Sequence, residues 1–377
     1  MPSEMIKIKL LFFTLFYLLF IPVFGQLIDT RASIKTKNLY RNLIRLSGKK
    51  VLFGHQDDLA YGVGWKYQNG RSDIKELSGE YPAVFGWDVS GLETGHTQNI
   101  DGVPFEKMKQ YIKKAYDLGT VNTLSWHMDN PLNGKNSWDT SSTAVKSILP
   151  KGSAHSLYKS WLDKFSVFVR SLKGTDGKAI PILFRPFHEN GGGWFWWGAK
   201  SCTAQEYKDL WRFTVEYLRD KKQLHNLIYV FNPCDFKTED QYLERYPGDG
   251  FVDILSFDSY QYGGAGKGES FAQDIAQSLS IQNKIAKRHR KLSAIAETGF
   301  VEIPDANWWT NVFAKAIQEN KPSYVLFWRN AGYREKEKDN HYYVPYPGQV
   351  SAPDFLEFIR NNKILLQKGL KKSDIYN

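Results

Sequence analysis

Cysteine is almost missing from this chain. Cys202 and Cys234 are the only two in 377 residues. That count excludes a disulfide-framed scaffold, and one pair at this separation does not form a zinc site. The two thiols could pair in an oxidising compartment or stay reduced. No G-x-G-x-x-G follows the first apolar run, where Gly54-His-Gln-Asp-Asp58 stands instead. A Rossmann-type dinucleotide turn is therefore lacking. There is no H-E-x-x-H metal signature. There is also no linker rich in Pro, Ser or Thr, no low-complexity tract and no short internal repeat.

Long runs of like charge are lacking as well. The formal net charge is +10 and the pI about 9.2, yet Lys and Arg are spread along the chain. Lys107, Lys109, Lys113 and Lys114 fall on one helical pattern, and the densest run, Lys287 to Lys291, is short. This distribution reads as solvated helix surface, not as a nucleic-acid footprint.

One long apolar run is present, at the N-terminus. Lys7 and Lys9 precede Leu10 to Gly25. A positive start, an apolar stretch of about a dozen residues and a small residue before Gln26 form an export signal. The run is somewhat short for a membrane span. No Cys lies near the expected cleavage point, so a lipoprotein anchor is not indicated. The expected division is a signal peptide over 1–25 and one catalytic-size domain over 26–377. The periplasm and the cell exterior stay open as destinations.

What the chain has in excess is aromatic surface, 15% of residues with twelve Trp. Indole and phenol rings give flat apolar faces with a polar handle, which suit the C–H faces of sugar rings. Eight short apolar runs alternate with amphipathic stretches. They are Val51–His55, Ala83–Val89, Thr120–His127, Ile180–Glu189, Leu227–Asn232, Val252–Asp258, Leu292–Glu297 and Ser323–Arg329. None alternates strictly, as expected for parallel strands covered on both faces. Helical spacing recurs over Ile34–Leu46, Phe105–Leu118, Leu157–Leu172, Tyr207–Leu218, Phe271–Ile285, Trp308–Ile317 and Pro353–Leu366. Repeated strand–helix units point to an α/β fold, a single-domain (β/α)8 TIM barrel. An open doubly wound sheet ranks behind it. The polar tail from Lys371 is expected to fray.

Working residues of such barrels sit at the C-terminal ends of strands. Seven of the eight runs deliver a polar or aromatic group there: His55, Asp88, His127, His188 with Glu189, Asp258 with Tyr260, Glu297, and Trp328 with Arg329. Single placements are often structural, but seven converging ones are hard to explain as packing. Glu189 and Glu297 end the fourth and seventh runs, and paired carboxylates are the tools of glycoside hydrolysis. Glu189 precedes Gly191-Gly-Gly-Trp-Phe-Trp-Trp-Gly198. Aromatic surface desolvates a carboxyl and raises its pKa, which suits an acid/base. Glu297 is expected to be held ionised by Arg329 and Tyr260, which suits a nucleophile. Carboxyl groups about 5–5.5 Å apart would retain anomeric configuration, and a wider gap would invert it. Sequence alone leaves that spacing open.

The ordered segments resemble glycoside hydrolase family 26 β-mannanases. Phe184-Arg-Pro-Phe-His-Glu189 with Trp194-Phe-Trp-Trp-Gly198 is similar to the family's acid/base signature. Leu255-Ser-Phe-Asp-Ser-Tyr260, Ala294-Ile-Ala-Glu-Thr-Gly299, Ser125-Trp-His127 and Val325-Leu-Phe-Trp-Arg329 resemble further signatures. The likeness runs from about Val51 to His341. One departure is local: many members carry Glu-Met-Asn-Gly, where this chain has Glu189-Asn-Gly-Gly-Gly193. The resemblance implies a retaining barrel enzyme with Glu189 as acid/base and Glu297 as nucleophile. It implies that His127, His188, Trp194, Asp258, Tyr260, Trp328 and Arg329 line the sugar site, with His341 on a further loop. It implies a β-mannan-type polysaccharide or oligosaccharide as partner, and no cofactor or metal. A monomer is expected, with no nucleic-acid partner and no membrane span after signal cleavage. Mannobiose-releasing exo action, activity on mixed-linkage glucan or xylan, and a non-catalytic sugar-binding role remain as alternatives. The long segment Met128–Gly152, with Trp138 at its middle, is expected to line or wall off distal subsites.

Overall fold

The computed structural model describes residues 25–377 other than 142, 235, 336 and 362. The expected export signal, up to residue 24, lies outside the described residues. Eight strands, β1 (Val51–Gln56), β2 (Val84–Asp88), β3 (Val121–Trp126), β4 (Ile182–Pro186), β5 (Leu227–Phe231), β6 (Ile254–Gln261), β7 (Leu292–Phe300) and β8 (Tyr324–Phe327), each pair in parallel with the next. β8 then pairs with β1, from Leu52 opposite Tyr324 to His55 opposite Phe327, and closes the barrel. Nearly every strand residue is buried. Apolar runs without alternation therefore face side chains within the barrel on one side and helices on the other.

The covering helices follow the amphipathic stretches. They include Ile34–Leu46, Phe105–Asp117, His155–Ser171, Ala204–Glu216 and Gly268–His289. Side-chain caps fix the starts of two of them, Ile34–Leu46 and Ala204–Glu216. Ser33 Oγ accepts from Thr36 N, and Thr203 with Glu206 forms a capping box, which satisfies donors the first turn leaves open. No helix among the described residues is long and apolar enough to cross a membrane.

Two boundaries differ from the sequence expectation. The last long helix is Ala352–Arg360, and Ile364–Leu365 forms a short strand beside Val51 and Leu52. The polar tail does not fray: Ile375 and Tyr376 are buried, and Asn42 Nδ2 donates to the Asn377 carbonyl at 3.0 Å. Two buried side chains and hydrogen bonds to the tail's carbonyls, including one from Asn42 Nδ2 to the Ile375 carbonyl at 3.0 Å, dock it.

One irregularity shapes the site. Phe257 lies opposite Ile295, but the next residue, Asp258, lies opposite Glu297. β8 reports the same slip, with Val325 opposite Ile295 and Phe327 opposite Thr298. β7 thus carries one extra residue at Ala296, a bulge that re-aims the side chains after it. Without it, Asp258 would face an alanine.

Candidate active site

Arg185, near the end of β4, is fully buried and bridges two carboxylates. Its Nη1 donates to Asp258 Oδ2 at 2.9 Å and its Nη2 donates to Glu297 Oε1. The hydroxyl of Tyr260 donates to Glu297 Oε2 at 2.8 Å. Both oxygens of Glu297 are therefore held by charged or phenolic donors, on a strand end buried in the barrel mouth. The sequence expectation that Arg329 performs this role is incorrect. Arg329 Nε faces Asp101 Oδ1 at 3.0 Å instead. Arg185 comes from the opposite strand and points across the barrel, so strand adjacency was the wrong guide.

Glu189 sits one turn beyond β4 with φ of 51°, as does Phe187. Left-handed backbone at two non-glycine residues stores roughly 1–3 kcal/mol each, held here by the packed Trp cluster. Trp194 Nε1 donates to Glu189 Oε2 at 2.6 Å. Burial, and then the charge on Glu297, pushes the Glu189 carboxyl up to about 7, with Trp194 pulling the other way. One oxygen from each of Glu189, Asp258 and Glu297 lies within 4.8 Å of the others. The same trio has the spacing to ligate a cation, but the Arg185 guanidinium already sits on two of its members.

A second buried chain links Asp88, His127 and His188. Asp88 accepts from His127 Nδ1 at 2.9 Å, from Ser125 Oγ at 2.7 Å and from Ser90 N at 2.9 Å. Burial opposes charge on both partners. Even so, His127 and Ser90 hold the Asp88 carboxyl well below its ordinary range, and Asp88 holds the His127 imidazole above its own. Burial, and then the charges on Arg185 and His127, pushes His188 far down. His127 Nε2 and His188 Nε2 hydrogen-bond to each other across 3.1 Å. Trp138 stacks on the His127 ring with centroids 5.3 Å apart and planes at 16°. It is 47% exposed, so the long segment after β3 presents an aromatic face at the rim.

The β8 side completes the rim. Trp328 is half-buried, with its backbone N–H donating to Thr298 O at 3.1 Å. His341 lies on a hairpin made by Gly332–Arg334 and Asp339–His341. Its ring is 5.1 Å from Tyr343, whose ring is 5.7 Å from Tyr260. Burial, then Arg329 and Arg334, pushes His341 down to about 3. Below Arg329, the Tyr61 hydroxyl donates to Asp57 Oδ2 at 2.6 Å. Trp196 and Trp197 are fully buried, which returns them to packing. Cys202 and Cys234 form no disulfide. Cys202 Sγ donates to Trp197 O at 3.3 Å, and Cys234 Sγ to Glu189 O at 3.5 Å.

All ten residues singled out from the sequence are thus on one rim. Three with site contacts were not assigned a part. Arg185 lies inside the matched segment and could have been found there. Asp88 was visible as a strand end. Asp101 lies in a loop after β2 without any motif, so nothing marked it.

The family model for glycosyl hydrolase family 26 matches residues 28–341. A mannan endo-1,4-β-mannosidase of Bifidobacterium adolescentis is 35% identical over 358 residues, covering 90% of this chain and 35% of its own. The chain therefore spans about a third of that curated relative. The structure of a GH26 β-mannanase from Bacteroides ovatus superposes with a TM-score of 0.86 at 41% identity, covering 92% of this chain and 98% of that one. The catalytic domain of a GH26 endo-β-1,4-mannanase from Bacillus sp. JAMB-750 gives 0.85 at 34% identity, covering 93% and 96%. With the barrel, the bridged carboxylates and the matched length agreeing, the chain belongs to glycosyl hydrolase family 26.

Proposed function

We propose that the chain hydrolyses β-1,4-mannosidic bonds by double displacement, with Glu189 as acid/base and Glu297 as nucleophile. The observation that carries this reading is the carboxylate spacing. One oxygen of Glu189 and one of Glu297 lie within 4.8 Å of each other, which is in keeping with the close spacing of retaining pairs, roughly 5–5.5 Å, and not with the wider spacing of inverting ones. Their environments also divide the labour. Glu189, pushed to about 7, holds protonated and ionised forms in comparable amounts near neutral pH, as a group that gives and then takes a proton requires. Glu297 accepts from Arg185 and Tyr260, which orients one oxygen toward an anomeric carbon and stabilises negative charge.

In the first step Glu297 attacks that carbon while Glu189 gives its proton to the glycosidic oxygen. The C–O bond breaks, the protonated chain leaves, and a glycosyl ester remains on Glu297. In the second step Glu189 takes a proton from water as the water attacks the same carbon, and the ester bond breaks. Net configuration is retained. Trp194, His127, His188, Asp258, Trp328, Arg329 and His341 are assigned to the sugar-binding wall. Their placement around the two carboxylates supports this.

Mannan is favoured as substrate because the relatives above are named for it. A time course on linear mannan, galactomannan, mixed-linkage glucan and xylan, with product sizing, tests substrate and mode together. Mannan turnover is expected. Cleavage of glucan or xylan in preference would overturn the assignment, and mannobiose as sole early product would make the action exo. The charged and apolar pattern of residues 7–25 supports export, tested by fractionating expressing cells.

A further inference from the structure

Glu93 stands in the loop that follows β2, and its side chain is fully buried. Carboxyls are seldom buried so completely, and the reaction steps above give this one no part. Both of its oxygens are taken. Trp126 Nε1 donates to Oε2 at 2.9 Å, and the Asp129 backbone N–H donates to Oε1 at 2.9 Å. These two donors flank His127, so one carboxylate grips the chain on either side of that imidazole. The grip extends outward. Trp196 Nε1 donates to Met128 O at 2.9 Å. Asn130 Nδ2 donates to Asp139 O at 3.1 Å, which ties the gripped end to the residue after Trp138. The Trp138 ring then lies on His127 and 5.5 Å from Phe195. The loop of Glu93 is itself pinned, because Lys164 Nζ, on the helix His155–Ser171, donates to the Glu93 carbonyl at 2.5 Å.

We propose that Glu93 is a positioning residue for the reaction: by holding the backbone from Trp126 to Asp129, it sets His127 and the Trp138 ring stacked on it against the sugar. The proposal rests on the hydrolase reading above and names what holds one wall of the cleft from behind. An ionised carboxylate only accepts, and it satisfies both donors at once. A protonated carboxyl or an amide turns a donor of its own toward one of them and gives up that bond. Burial raises Glu93 to about 7, against the pull of the Asp129 and Trp126 donors. The charged groups around it are Asp129, whose carboxylate adds to the rise, Lys164 on its carbonyl, and His96, which acts on Asp129 in turn. The grip is therefore complete above about pH 7 and relaxes below it.

The test measures kcat/KM on linear β-1,4-mannopentaose from about pH 5 to 8 for wild type, Glu93→Gln, Trp138→Ala and the double variant. Glu93→Gln keeps the shape and removes the charge. It is expected to cost on the order of tenfold near pH 8, where wild-type Glu93 is ionised, and little near pH 5, where both side chains are neutral. Glu189, Glu297 and His127 titrate in both proteins, so the ratio isolates Glu93. In the Trp138→Ala background the cost of Glu93→Gln is expected to shrink, because the two residues act on one element. A merely structural loss would be the same at every pH and would add to that of Trp138→Ala. Trp138 is 47% exposed, so its removal leaves no buried cavity. If Glu93→Gln does not fold, the ratio of wild type to Trp138→Ala still decides, and it is expected to fall as pH drops below about 7. A ratio that does not change with pH in either comparison, or costs that add in full, overturns the proposal. Wild-type protein that does not cleave mannopentaose would instead overturn the hydrolase reading itself.

Discussion

Trp194 Nε1 donates to Glu189 Oε2 at 2.6 Å, so the residue that would carry a sugar also sets the acidity of the acid. An N–H donor favours the ionised carboxyl and works against the burial that holds Glu189 at about 7. Trp194→Phe keeps an aromatic face and removes the donor. The basic limb of kcat/KM against pH, which reports loss of the acid's proton in free enzyme, is expected to move up by about one pH unit. A limb that stays in place would separate Trp194 from the acid's titration.

The second contribution to that elevated value is the charge on Glu297. Glu297→Gln removes it and keeps the shape. The Glu189 carboxyl is then expected to titrate lower, by carbon NMR of the glutamate carboxyls, while mannan turnover falls by several orders of magnitude. Glu189→Ala is expected to lose the polymer and keep measurable activity on aryl mannosides that need no proton.

Arg185 spans Asp258 and Glu297 with two nitrogens. Lysine is a point charge and cannot reproduce that fork. Arg185→Lys is expected to destabilise the fold by about 3 kcal/mol, because one buried carboxylate loses its partner. Its kcat is expected to fall more than its KM rises. Urea unfolding and steady-state kinetics read the two effects separately.

Asp88 and His127 make a buried pair whose stabilisation has a defined pH window. The Asp88 carboxyl is depressed in the fold, so its contribution is present above about pH 4 and lost as pH falls through its folded value. The His127 imidazole is raised, so its contribution is full below about pH 6.5 and lost as pH rises through its folded value. Asp88→Asn is therefore expected to cost about 3 kcal/mol between roughly pH 4 and 6.5, with the difference from wild type shrinking on either side.

The barrel was legible because its strands are buried on both faces. Each apolar run predicted from the sequence lies within a few residues of its strand, as with Leu227–Asn232 against Leu227–Phe231. Position at a strand end also singled out Glu189, Asp258 and Glu297, whose carboxylates the barrel brings within 4.8 Å of one another. Side-chain direction was not legible. The Ala296 bulge, which sets Asp258 opposite Glu297, depends on pairing between three strands and leaves no local mark. For the same reason the sequence pointed to Arg329 on the adjacent strand, where the barrel uses Arg185 from across its interior. The hairpins at Tyr61–Lys66 and Gly332–His341 escaped notice because their strands are two or three residues long. Tail docking rests on the buried side chains of Ile375 and Tyr376 and on hydrogen bonds from Asn42 to the tail's carbonyls, which form no periodic pattern.

The central claim is that Glu297 forms a glycosyl ester while Glu189 shuttles the proton. Incubation with a 2-deoxy-2-fluoro-β-mannosyl fluoride slows the second step, and proteolysis with mass spectrometry then locates the sugar. A single label on Glu297, in the peptide that contains Leu292–Phe300, is the expected result. Active enzyme that acquires no label, or carries it on Glu189 or Asp258, would contradict the assignment.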